Sequence, residues 1–430
     1  MNTKKGTDSD SRSKPRSNVL LIGIGILALI ILTLTTISGM ALALSTQDTV
    51  VKGITIEGES VSGLTHDELK DFVQKKADEY IAKSALNISY QEKNWCIKPD
   101  EIKLSIDVNK ATEEAYAPGH TDSLLQNLTE NLQSTFYGKN ITFNVSYDPN
   151  LLDKHLKQIA DDVYQEPVNA SCYFGNNGNI IHSKSVLGQK LNTEELTAFI
   201  EEKLNPLNVP SVITIEPVIT KPYVTDDDVK NINNVLSTYT TRFYEGDSAR
   251  SQNIRIASNS ISGQIVKPNQ VFSFNDTVGH RTSANGFQTA SVIIDGKVEQ
   301  DWGGGVCQVS STLYNAVLLA GLTPTERSNH SLPSSYVPLG QDATVADGLL
   351  DFKFKNPLPH SVYILTSCYS GTLNIFVLGC QEDLQGKSYK LSSKVNNNTA
   401  TVYRVVYKNG EEIDREYLHA DSYDPPHSTT

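Results

Sequence analysis

An uncharged, apolar run from Val19 to Leu44 constrains this chain more than any other feature. A hydrocarbon core about 30 Å thick needs roughly 20 helical residues at about 1.5 Å each, and the run supplies them. Lys4, Lys5, Arg12, Lys14 and Arg16 precede it. Basic residues stay on the cytoplasmic side. The expected topology is therefore a cytoplasmic leader (1–18), a transmembrane anchor (19–44) and an exported bulk, in a single-pass cell-membrane protein with an extracellular C-terminus. Ala41-Leu42-Ala43 also resembles a signal-peptide cleavage site, which keeps release open as the rival. Signal-peptide apolar regions run only about 7–15 residues, and this one is longer.

The remainder is long enough for two or three domains. The formal net charge is −12 even with the basic leader counted, which argues against nucleic acid as a partner and is neutral toward glycans and peptides. Five cysteines in 430 residues form no disulfide scaffold. Ser361–Cys368 and Leu373–Cys380 read as strands joined through Tyr369-Ser370-Gly371-Thr372. That turn opposes Cys368 to Leu373 and leaves Cys380 about seven residues away at about 3.4 Å each, too far for a bridge. Cys96 and Cys172 stay open as a pair.

Residues 49–225 contain an internal echo. Thr65-His66-Asp67-Glu68 and Asn192-Thr193-Glu194-Glu195 both carry capping-box signatures. Leu69, Phe72 and Val73 follow the first at the offsets of Leu196, Phe199 and Ile200 after the second. A strand-like run comes next in each case, Leu86–Tyr90 and Val212–Ile219. A duplicated helix-plus-strand unit explains this; two unrelated amphipathic helices are the plainer account. Thr121–Gln133 and Pro149–Tyr164 read as further helices, and residues 221–228 as a linker. Residues 241–379 have a different texture, strand-rich around one central helix, with Ala290–Ile294 as a buried strand. A small tail, 386–423, turns at Asn409-Gly410, a strong hairpin signal, and disorder is expected from Pro425 onward. The fold class is α+β.

The densest constellation is Trp302-Gly303-Gly304-Gly305-Val306-Cys307-Gln308-Val309-Ser310. Apolar residues at Val309, Leu313, Ala316, Val317 and Ala320 fit a helix that ends at Gly321. The glycines thus deliver Cys307 to a helix N-terminus, where free N–H groups and the dipole favour a thiolate. His330 and then Asp342 follow in the chain, an order several cysteine hydrolases use for nucleophile, base and orienting group. The plainer accounts are a small buried cysteine, glycines chosen for close packing, or a loop that binds an anionic group without reacting. No short ligand spacing marks a metal site, and no cofactor is expected.

At these residues the chain resembles a known family. The segment from about Ile254 to Gly379 is similar to VanW-family domains. The likeness rests on Asn259, Lys267-Pro268-Asn269, Phe272-Ser273-Phe274-Asn275, Gly279 and Gly303 through Ser310. It continues in Thr312 through Ala316, Gly321-Leu322, Glu326-Arg327, His330-Ser331, Tyr336-Val337-Pro338, Gly340 through Val345 and Asp351 through Asn356. The preceding region resembles the peptidoglycan-binding domain commonly found ahead of VanW domains, and the tail the end of a G5-type module, too short to be complete.

The resemblance implies a cell-envelope setting of Gram-positive type, with peptidoglycan or muropeptides as partner. It implies no particular reaction, and the family's glycopeptide-resistance name does not carry over to this copy. Three functions follow as expectations. The first is a tethered binder of peptidoglycan or its stem peptides, holding its ligand at Gly303, Gly304, Gly305, Gln308 and Ser310. In the second, Cys307 attacks an amide or peptide bond of the wall peptide as a peptidase, amidase or transferase. His330 is then the base, Asp342 orients it, and the N–H groups of Cys307 and Gln308 stabilise the oxyanion. The third is a non-catalytic module of an envelope assembly.

Overall fold

The computed structural model describes residues 16–45, 48–204, 208–294 and 297–425. Most of the basic leader and the end beyond Pro425, where disorder was expected, lie outside them. Helix α1, Arg16–Ser45, runs for 30 residues, and its stretch Leu21–Gly39 is exposed and long and apolar enough to cross a membrane. Two of its threonines bond back to the helix: Thr33 Oγ1 donates to Ile30 O (2.8 Å) and Thr36 Oγ1 to Leu32 O (2.9 Å). Such back-bonding satisfies polar groups where no water is available.

The chain divides into two units, the first comprising residues up to 164 together with 190–218. This unit holds two apolar cores. In one, strand Ile54–Ile56 pairs antiparallel with Glu59–Ser60 and parallel with Lys139–Ile141. Helices α2 (His66–Lys83) and α3 (Val108–Tyr116) bury Leu69, Val73, Ala111 and Ala115 there; α4 (Leu124–Tyr137) follows. In the other core, Leu86–Tyr90 pairs antiparallel with Lys93–Ile97 and parallel with Ile213–Thr214. Helices α5 (Pro149–Val163) and α6 (Thr193–Leu204) bury Leu152, Leu156, Leu196 and Ile200 in it.

Both expected caps form. Thr65 N–H donates to Glu68 Oε2 (2.9 Å) while Thr65 Oγ1 receives the Glu68 N–H, and Asn192 Oδ1 accepts the Glu195 N–H (3.3 Å). The strands after these helices behave differently. Helix α6 shares its core with Ile213, whereas α2 and Leu86–Tyr90 go to separate cores. The ladder to Lys93–Ile97 commits Leu86 and Ile88 to the second one. The same strand order nevertheless recurs in the two sheets: hairpin partner, first strand, parallel strand.

The second unit comprises residues 165–189 and 219–430. Residues 165–189 fold here rather than with the region they were expected to join. Ala170 and Cys172 pack with Val224, Ile232 and Tyr363. Residues 221–228 are likewise built in and are no free linker: Val224 is buried, its carbonyl accepts the Ala170 N–H (2.9 Å), and Thr225 with Asp228 forms a capping box.

The centre of this unit is a four-stranded antiparallel sheet in the order Asn234–Arg242, Thr372–Gly379, Val362–Tyr369, Ile265–Val266. Cys368 opposes Leu373 as expected, and all five cysteines are free, Cys96 and Cys172 included. Two long helices cover the sheet, not one: α7 (Ser248–Ile261) and α8 (Val306–Leu319). Helix α7 escapes a hydrophobic-period reading because Ser251, Asn253 and Ser258 share its buried positions with Ile254, Ala257 and Ile261.

Thr289–Ile294 forms a hairpin with Lys297–Trp302. Ala290 is buried, Ser291 exposed and Val292 half-buried, so the described part of this strand alternates and is not buried throughout. The tail is a three-stranded meander, Lys387–Asn396, Thr399–Lys408 and Glu411–Ser422, whose last turn places Asn409 (φ 52°) and Gly410 (φ 85°) in the left-handed region such hairpins need. It is fastened to the domain by Arg404 Nη1, which donates to Leu322 O (2.7 Å).

Candidate active site

The glycine loop is shaped by steric necessity. Gly303 (φ 78°) and Gly305 (φ 106°) occupy left-handed backbone, and a Cβ on Gly304 would meet Ala290 C and Ser291 O at 2.7 Å. Asn253 of α7 clamps the loop by donating to Gly304 O (3.0 Å) and Gln288 O (2.8 Å). Gly305 then caps α8, with Cys307 in its first turn. The close-packing account of these glycines is therefore correct as far as it goes.

Two residues expected to line a ligand cleft do not. Gln308 is 1% exposed and Ser310 0%. Gln308 Nε2 donates to Thr241 Oγ1 (3.0 Å) and Arg242 O (2.9 Å), and its Oε1 accepts from Arg250 Nη2 (2.8 Å). Ser310 Oγ donates to Ala343 O (2.6 Å). Buried polar groups must be paired, and these pairings lock α8 to its neighbours. The Gln308 N–H, expected as an oxyanion donor, is already given to Gly305 O (3.0 Å).

Cys307, His330 and Asp342 do come together. Thr344 N–H donates to Ser328 O (2.8 Å), laying the two loop segments side by side. Asp342 is buried, and its Oδ2 accepts both the His330 backbone N–H (2.7 Å) and the ring Nδ1 (2.6 Å). Its Oδ1 takes the Tyr423 hydroxyl (2.6 Å) and Arg327 Nη2 (3.1 Å). His330 lies close enough to Cys307 for each group to shift the other's pKa, and Cys307 Sγ donates to Val345 O (3.4 Å).

Electrostatics follows from this packing. Burial alone pushes the Cys307 thiol up, but the His330 imidazole beside it and, after it, the Arg281 charge reverse that, and the thiol is held below its ordinary value. Burial pulls His330 down, yet bonds to Asp342 and Cys307 raise it from 6.5 to about 9. Asp342 is lowered from 3.8 to about 2: burial opposes this, and the His330 and Tyr423 bonds outweigh it. The pair is thus biased toward thiolate and imidazolium, the reactive form of a cysteine nucleophile.

Several contributors were invisible as site residues in the sequence. Tyr423 and Asp421 come from the tail, about which only a hairpin was legible. Asp421 Oδ1 accepts from Arg327 Nη1 (2.7 Å), steadying the guanidinium that holds Asp342. The Tyr336 ring stands edge-on to His330 at 6.5 Å, and burial, with Cys307 negative charge next, pushes its phenol up so that it stays a donor. Arg327 and Tyr336 lie in segments already singled out, which was the available signal.

A cavity of about 520 Å³ in the same unit is lined by Asn275, His280, Asp347 and Lys353 among others. Elsewhere among the described residues, His360, Cys380 and Asp383 bring possible ligand atoms within 4.8 Å of one another. They already satisfy neighbours, His360 Nδ1 with Asp383 (2.8 Å) and Cys380 with Glu382 (3.0 Å).

An α+β scaffold that seats a cysteine at a helix start, with an imidazole beside it and a carboxylate behind, is the class these observations define. The family described as VanW like protein matches residues 249–378, and the domain described as "Putative peptidoglycan binding domain" matches residues 95–208. The chain is 36% identical over 225 residues to YoaR of Bacillus subtilis, described as an uncharacterized protein, covering 52% of this chain and 72% of that one. It is 32% identical over 109 residues to the vancomycin B-type resistance protein VanW of Enterococcus faecalis, covering 24% of this chain and 40% of that one. The chain belongs to the VanW-like family. No solved structure matches it.

Proposed function

We propose that this protein is a membrane-tethered, extracytoplasmic cysteine enzyme that cleaves or exchanges an amide bond in peptidoglycan peptides. The VanW-like domain joined to a peptidoglycan-binding domain supports a role in the cell envelope. The carrying observation is the relay from Asp342 through His330 to Cys307, which favours a thiolate in a place where burial alone would suppress one. Of the three expected functions, only catalysis has a use for such a group.

In the first step, Cys307 Sγ attacks the amide carbonyl carbon. The C–N bond then breaks, and His330 gives its proton to the departing amine, leaving a thioester. Water or a second amine attacks that thioester, releasing an acid or a new amide and returning the thiol. The Cys307 N–H at the start of α8 and the Tyr336 hydroxyl are the donors we assign to the oxyanion. The first unit would hold wall polymer; a groove of about 280 Å³ between α6 and strand 213–214 leaves Phe199 and Val212 exposed there. Helix α1 would span the membrane with the basic leader inside, in a Gram-positive-type envelope.

The test is incubation of detergent-solubilised full-length protein with purified muropeptides, followed by mass spectrometry. Shortened or joined peptides with the wild type, and none with Cys307→Ala, are expected. If neither forms product and Cys307 alkylates no faster than exposed Cys96, the enzyme assignment fails and stem-peptide binding without chemistry takes its place.

A further inference from the structure

Arg281 is a buried cation whose hydrogen bonding is incomplete. It is 9% exposed, yet its Nη1 has no hydrogen-bond partner. Nη2 donates to Asn275 Oδ1 (2.6 Å), which fixes the plane of the guanidinium, and the Phe274 ring lies 5.9 Å from it. The nearest acid, Asp347, stands 3.9 Å from Nη1, beyond hydrogen-bond range, and is engaged by His280 Nδ1 at 2.9 Å. A structural ion pair would close that gap. Asp347 offsets the charge at that distance but gives Nη1 no acceptor, and a buried donor left unpaired in a native fold calls for a ligand or a role.

Its position supplies the role. A Cβ on Gly303 would lie 2.8 Å from Arg281 Cγ, so the loop leading to Cys307 rests directly on this side chain. The left-handed backbone of Gly303 makes that approach possible. The loop thus joins the thiol nucleophile to a cation held ready for one more acceptor.

Resting on the assignment of Cys307 as nucleophile, we infer that Arg281 is the carboxylate-binding residue of this site, and that the substrate is a peptide whose reacting end carries a free carboxylate. The enzyme then acts on the terminal residue of a peptide, not within a chain. A guanidinium nitrogen left open beside a fixed partner suits a planar, singly charged carboxylate.

The test is alkylation of Cys307 in the full-length, detergent-solubilised protein by iodoacetate and by iodoacetamide, followed by peptide mass mapping at constant pH. The two reagents differ chiefly in the carboxylate. The wild-type rate ratio of iodoacetate to iodoacetamide should exceed that of Arg281→Gln by about tenfold, with Arg281→Lys between them. An equal ratio in wild type and Arg281→Gln overturns the inference while leaving Cys307 a nucleophile. Should neither reagent modify wild-type Cys307, the nucleophile assignment fails, and this one with it. Should Arg281→Gln not fold, the wild type alone decides. Acetate should protect Cys307 from iodoacetamide and acetamide should not; equal protection overturns the assignment.

Discussion

His330 Nδ1 lies 2.6 Å from Asp342 Oδ2, and that same oxygen accepts the His330 backbone N–H at 2.7 Å. One carboxylate oxygen therefore sets both the ring's tautomer and its orientation. Asp342→Asn keeps the shape but removes the charge that raises His330. The pH midpoint of Cys307 alkylation should climb toward the free-thiol value of about 8.5 and the rate at pH 7 should fall about tenfold or more. An unchanged midpoint would show that the carboxylate does not act on the thiol through the imidazole.

The same shifts make stability depend on pH, with a definite sign. The pKa of His330 is raised from 6.5 to about 9 in the fold, so its contribution is full below 6.5 and is lost as pH rises through about 9. That of Asp342 is lowered from 3.8 to about 2, so its contribution is full above 3.8 and is lost as pH falls through about 2. The gap in melting temperature between wild type and His330→Gln should be widest between 3.8 and 6.5 and shrink on approach to about pH 9. Thermal melts across that range measure it; a gap that widens on the alkaline side would reverse the assigned sign.

Tyr423 joins the tail to the site. Its hydroxyl donates to Asp342 Oδ1 (2.6 Å) and accepts the Gly340 N–H (2.8 Å). Tyr423→Phe strands a buried N–H and removes one of the carboxylate's donors, a loss of about 1–3 kcal/mol in urea unfolding. Alkylation of Cys307 should slow in parallel. A tail that is only an appendage would leave both values untouched.

Gly304→Val should act through folding before it acts on any ligand. The new side chain meets Ala290 and Ser291 backbone at 2.7 Å, atoms that cannot rotate away. Overpacking of this kind costs about 1–3 kcal/mol or more. Chemical denaturation should show the loss without any muropeptide present; full stability with lost wall-peptide binding would instead restore the loop as a ligand cradle.

Retention of α1 has a direct readout. An intact mass near 47.2 kDa for the native, membrane-extracted protein is expected. A mass lacking residues 1–43 would mean cleavage after Ala43 and a released enzyme.

What the sequence determined alone is whatever depends on neighbours in the chain. The apolar run of α1, the caps at Thr65 and Asn192, the turn at Asn409-Gly410 and the opposition of Cys368 to Leu373 all follow from short-range geometry. So does the placement of Cys307 at the start of α8, because consecutive glycines before an apolar helical pattern allow little else. The order Cys307, His330, Asp342 was legible as a possibility, and only folding could bring His330 onto Asp342 beside the thiol. Tertiary structure decided the rest, since burial of polar groups leaves no period to read. Helix α7 hides Ser251, Asn253 and Ser258; Gln308 and Ser310 looked like ligand contacts and became core hydrogen bonds. Tyr423 reaches Asp342 across 81 positions, and nothing local to either residue encodes that meeting. Arg281 is the sharpest case. An arginine in a loop reads as solvated surface, and only the packed structure shows it buried beneath Gly303 with a nitrogen left unpaired.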